Sequence, residues 1–161
     1  MQVKGEILHI KQNDSYSCGA IALSVLLGIS LEAAQRECKT TKTGTSMVNI
    51  SAALSKRGVN NHLVQINKDW NECLEDLLAN SFRFPMILDY SRRGRYFEKG
   101  RDKMNEHAIV LADGLAICGG KDSAIPIRVF SYSNTKSILV RQIIIVDCER
   151  PNYLRNWLDK N

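Results

Sequence analysis

QNDSYSCGAIALSVLLG, residues 12–28, sets a polar run against an unbroken apolar one, with Cys18-Gly19 at the join. Ser15 and Ser17 are residue types that cap helix N-termini and Gly28 is the type that ends a helix, so the stretch predicts a helix of about three turns. Being apolar on all sides, that helix belongs in an interior. A cysteine on its first turn lies at the positive end of the helix dipole, which is expected to lower the thiol pKa. A backbone N–H of the same turn can face a developing oxyanion, and the Gln12 amide six residues upstream can supply a second donor. One turn then offers a nucleophile and an oxyanion hole. A small buried thiol and a surface glutamine are the plainer reading of the same residues.

Outward from this helix the chain turns from helices to strands. Ser30 caps a second helix, Leu31 to Glu37, and Ser46 opens a third through Met47, Ile50, Ala53 and Leu54, stopped at Gly58. His62 to Ile66 alternates as a strand, Trp70 to Leu78 is helical, and Pro85 to Leu88 begins another strand. Ala108 to Ala112, Leu115 to Cys118, Ile125 to Phe130 and Ile138 to Val146 read as strands, with turns at Asp113-Gly114 and Ser133-Asn134. Val3 to Ile10 is a short leading strand. Helices followed by strands predict an α+β fold in a single domain, 1–161, with an antiparallel sheet packed on the helices.

A thiol nucleophile needs a base, and the chain has three histidines. His9 and His62 lie in strands among ordinary neighbours, whereas His107 stands where a basic segment gives way to the apolar strand from Ala108. A partly buried structural histidine is the alternative. If Asp113-Gly114 is a two-residue hairpin turn, Ala112 pairs with Leu115 and His107 falls opposite Gly120. Asp122 is then on the same face at a diagonal separation of about 7–8 Å, which the two side chains can close. Asp113 is some 20 Å away along the strand, at about 3.3 Å per residue. A bulge at Gly119-Gly120 would shift this register by one.

Gln12-x5-Cys18-Gly19-x-Ile21-Ala22, Gly44-Thr45-Ser46-Met47-x-x-Ile50-x-x-Ala53 with Arg57-Gly58, Pro85-x-Ile87, His107-Ala108-Ile109-Val110-Leu111 and Asp122 occur in that order. Together they resemble the bacteriocin-processing, double-glycine-leader type of papain-like cysteine peptidase, over roughly residues 10 to 123. The resemblance implies a papain-like fold with N-terminal helices packed on a C-terminal antiparallel sheet. It also implies a thiol hydrolase in which Cys18 is nucleophile, His107 general base, Asp122 its orienter and Gln12 an oxyanion donor. The same triad can serve glutamine deamidation or acyl transfer, since each passes through a thioester.

Composition bounds these readings. With 44% hydrophobic and 24% charged residues and three prolines among 161, the chain is neither disordered nor fibrous. The net charge of +5 is concentrated: residues 91–103 hold six Arg and Lys against Glu98 and Asp102, a local +4. That segment is a solvated loop or, in a non-catalytic binding module of the same fold, a patch that holds an acidic protein or nucleic acid. A peptide or protein substrate, an acidic one included, is the expected partner; nucleic acid is the weaker expectation.

Cys18, Cys38, Cys73, Cys118 and Cys148 are odd in number and lack a CxxC pair, so neither a disulfide framework nor a zinc site is expected, and no cofactor. There is no Gly-rich phosphate loop or HExxH motif. Without a secretory signal or an eighteen-residue apolar run, the expected location is the cytoplasm, with no membrane span.

Overall fold

Every residue from Gly19 to Leu27 is buried, so helix α1 (Cys18–Leu27) is the centre around which the rest assembles. The computed structural model describes residues 16–92, 106–118, 124–134 and 138–146. Gly28 ends α1 in the left-handed conformation (φ 66°), its N–H bonded to the Ser24 carbonyl. Helix α2 (Leu31–Glu37) is capped by Ser30, whose Oγ accepts from the Ala33 N–H at 3.1 Å. Helix α3 (Met47–Lys56) is capped in the same way by Ser46, from Asn49 N–H. Arg57 donates two hydrogen bonds to Glu37, at 2.7 and 2.8 Å, and so ties the end of α3 to α2.

The strands β1 (His62–Asp69), β2 (Met86–Arg92), β3 (Glu106–Ala112), β4 (Leu115–Ile117), β5 (Ile125–Pro126) and β6 (Ile138–Ile145) form one antiparallel sheet in the order β1-β6-β2-β3-β4-β5. Helix α4 (Trp70–Ser81) stands between β1 and β2 in the chain. The β3–β4 turn is a two-residue one: Asp113 and Gly114 have φ of 51° and 76°, and Ala112 pairs with Leu115. Ser81 at the end of α4 anchors it, accepting from Asp113 N–H on its carbonyl and from Gly114 N–H on its hydroxyl.

Alternation divides the sheet's apolar residues between two layers. Ile87, Ala108, Val110, Ala112, Ile117, Ile144 and Val146 pack with α1, α2 and α3. Leu88, Tyr90, Ile109, Leu111, Ala116, Cys118 and Val140 face the other way, onto Trp70 and Leu77 of α4 and onto Ile127 and Phe130. The molecule is thus α+β, with helices on both faces of an antiparallel sheet and two separate cores.

One element differs from expectation. Ile125 to Phe130 is not a strand: β5 is two residues long, and helix α5 (Ile127–Asn134) follows directly, taking in Ser133-Asn134, which were expected to turn. The reason is the period of burial. Ile127 and Phe130, three apart, are fully buried, while Val129 between them is exposed, the spacing of a helix face. The leading strand 3–10, the basic stretch beyond Arg92 and Gly119-Gly120 lie outside the described residues. Among the described residues no single helix is long and apolar enough to cross a membrane.

Candidate active site

Cys18 is the first residue of α1, half-buried, on a cleft of about 240 Å³. Ser17 precedes it as N-cap residue but makes no side-chain cap bond; its hydroxyl accepts instead from Gln35 Nε2 at 3.0 Å, which steadies the approach to the helix. The helix reaches this position because residue 19 is glycine. A Cβ there would stand 3.1 Å from Ile50 Cδ1 and 3.2 Å from Thr45 Cβ, so any larger residue pushes α1 away from the start of α3.

Burial pushes the Cys18 thiol above its ordinary pKa, and the Asp89 carboxylate adds to that. Backbone N–H groups of Ala108, Gly19 and Cys18 itself pull the other way, because each stabilises a thiolate, without reversing the sum. The direction is opposite to the one expected from the helix dipole alone: desolvation and Asp89 outweigh the N–H donors and raise the thiol pKa.

The cleft is walled on one side by Thr43 to Met47, ahead of and into α3, and on the other by Asp89, Ala108 and Gln142 from the adjoining strands β2, β3 and β6. A bulge shapes that second wall. Gln142 pairs with Asp89, and Val140 with Tyr90, so Arg141 is the extra residue of β6. Such an insertion turns two successive side chains toward one side. Arg141 and Gln142 both line the cleft as a result.

His107 lines the same cleft and pairs across the sheet with Tyr90. Its parity on β3 is that of Ile109 and Leu111, away from α1. The ring packs edge-on to Tyr90, with centroids 5.7 Å apart and planes at 68°, and its Nε2 stands 3.1 Å from Cys118 Sγ. Cys18, by contrast, takes a hydrogen bond from the backbone of Ala108, the very next residue. Thiol and imidazole thus approach the start of β3 from its two faces.

Of the four residues marked out by sequence, Cys18 and His107 are brought to one cleft, and Gln12 and Asp122 lie outside the described residues. Sequence reasoning missed Asp89, Arg141 and Gln142, whose signal is a polar interruption in otherwise apolar strands, MILDY and ILVRQIII. It also missed Cys118 as a neighbour of the imidazole. His62 is exposed at the start of β1, an edge strand separated from β3 by β6 and β2.

The family model of the Peptidase C39 family matches residues 6–118. Among solved structures, a double glycine motif protease from an AMS/PCAT transporter, in complex with the leader peptide, is similar with a TM-score of 0.57 and 19% identity, covering 91% of this chain and 96% of that one. The peptidase domain of Streptococcus ComA, a bi-functional ABC transporter involved in a quorum sensing pathway, gives 0.54 and 19%, covering 88% and 98%. No curated protein sequence matches the chain.

Proposed function

The chain belongs to the Peptidase C39 family and is a cysteine peptidase, and from this we propose that Cys18 is its nucleophile, His107 its general base, Asp122 the orienter of that base and Gln12 an oxyanion donor. The observation that carries the reading is the thiol at the open first turn of α1, on a cleft that His107 also lines, with backbone N–H groups directed at the sulfur. In the proposed reaction His107 takes the thiol proton as the sulfur attacks a peptide carbonyl. The oxyanion is held at the first turn of α1, with Gln12 as second donor, and the thioester forms as His107 protonates the leaving amine. Water then hydrolyses the thioester.

The substrate we propose is the leader-type peptide cut after a double glycine, by analogy with the protease solved with its leader peptide. The bulge residue Arg141 favours an acidic side chain next to the cleaved bond. Cys18, Cys38, Cys73 and Cys118 are free thiols, in keeping with a reducing compartment, for which we propose the cytoplasm. We also propose one peptidase domain over 1–161. A fluorogenic peptide ending in Gly-Gly-aminomethylcoumarin tests the assignment. Cleavage by the wild type and none above background by Cys18→Ala or His107→Ala is the expected result; cleavage that survives either substitution refutes the assignment of that residue.

A further inference from the structure

We infer that Cys118 is a positioning residue for His107: its sulfur accepts the Nε2–H and holds the imidazole in the tautomer whose Nδ1 can take a proton from Cys18. The inference rests on the reading of His107 as base. At 3.1 Å the contact is short for one involving sulfur, and Cys118 is only 3% exposed. Its place follows from register. Val110 pairs with Ile117, so the next position along β4 sets Cys118 beside Ile109 and diagonal to His107, on the face that carries Tyr90.

Two protonation patterns fit such a contact, and only one fits a base. If the thiol donates to Nε2, the ring hydrogen is on Nδ1, which then cannot accept a proton. If Nε2–H donates to sulfur, Nδ1 keeps its lone pair. Tyr90, edge-on to the ring and itself braced by Phe130 at 6.1 Å, restricts the ring from turning over and exchanging the two nitrogens. A neutral thiol also suits this pocket of Ile109, Ala116 and Tyr90, since it accepts a hydrogen bond without bringing a charge into an apolar layer.

The test joins a tautomer measurement to kinetics. Long-range proton–nitrogen correlation spectra of the wild-type imidazoles are expected to show His107 as the Nε2–H form, with the Nδ1–H form gaining in Cys118→Ala. On the Gly-Gly-aminomethylcoumarin peptide, Cys118→Ala is expected to lower kcat roughly 10- to 100-fold, the range a misplaced catalytic group produces. KM stays unchanged, and Cys118→Ser, which restores an acceptor, recovers most of the rate. Nε2 carries one hydrogen, which Cys118 and the proposed orienter Asp122 both accept, so Asp122→Asn is expected to keep part of the Nε2–H form and Asp122→Asn combined with Cys118→Ala to lose it. The inference is overturned by an Nδ1–H tautomer in the wild type, by an unaltered kcat in Cys118→Ala, or by serine failing as alanine does. His107→Ala separates the two levels: activity without the imidazole defeats the base itself, whereas an inactive His107→Ala beside a fully active Cys118→Ala defeats only the role of Cys118.

Discussion

Cys18 owes its properties to opposed neighbours: burial and the Asp89 carboxylate hold its proton on, and the N–H groups of Ala108 and Gly19 favour its loss. Asp89→Asn removes one negative charge from beside the sulfur. The thiol pKa should then fall, so that alkylation of Cys18 by iodoacetamide, followed by mass spectrometry as a function of pH, moves to lower pH and its rate near neutrality rises. An unshifted profile would mean that the carboxylate does not act on the thiol. The cysteine was legible as a candidate from sequence because Cys-Gly at the head of an apolar helix is a pattern a single line of residues can carry. Its raised pKa was not legible, since desolvation and Asp89 depend on where β2 runs, seventy residues away in the chain. The glycine has a steric role that becomes visible only once Ile50 and Thr45 are placed against it.

Among the elements, the β3–β4 hairpin, whose first strand brings His107 and Ala108 to the cleft, and the β6 bulge differ in how far sequence announced them. Asp-Gly between two apolar runs encodes a tight turn locally, so the pairing of Ala112 with Leu115 could be read in advance. A Cβ on Gly114 would stand 2.8 Å from Phe82 Cζ, at a φ of 76° that disfavours side chains. Gly114→Ala is therefore expected to destabilise the fold by about 1–3 kcal/mol, measured by urea denaturation. The bulge has no local signature beyond a polar pair in an apolar strand, because it exists only relative to β2. Its consequence can be measured: Arg141→Ala should lower kcat/KM about fivefold for a Gly-Gly peptide with glutamate beside the cleavage site, as a partly solvated charge pair of ~1 kcal/mol implies, and leave the glutamine counterpart unaffected. Helix α5 was misread as a strand for a related reason. Ile-Arg-Val-Phe mixes β-branched residues into a short segment, and only the burial of Ile127 and Phe130 together settles its period.

For the molecule as a whole, the sheet separates a core that carries Cys18 from one that carries His107, and the site forms where both reach the start of β3. Stability and catalysis are consequently linked through the second core. Phe130 is fully buried between Trp70, at 5.3 Å, and Tyr90. Phe130→Ala should cost about 3–5 kcal/mol in urea denaturation and also reduce turnover, because Tyr90 loses its support beneath the imidazole. The α+β class could be read from the order of periodic segments, but the helical layer behind the sheet could not, since it depends on α5 and on how α4 folds back. The central claim is that Cys18 is the nucleophile and His107 drives its reaction, and covalent labelling tests it most directly. A peptide chloromethyl ketone ending in Gly-Gly should modify Cys18 in the wild type, located by peptide mapping, and react at least tenfold more slowly with His107→Ala. Labelling of another cysteine, or an equal rate at Cys18 without the imidazole, would contradict it.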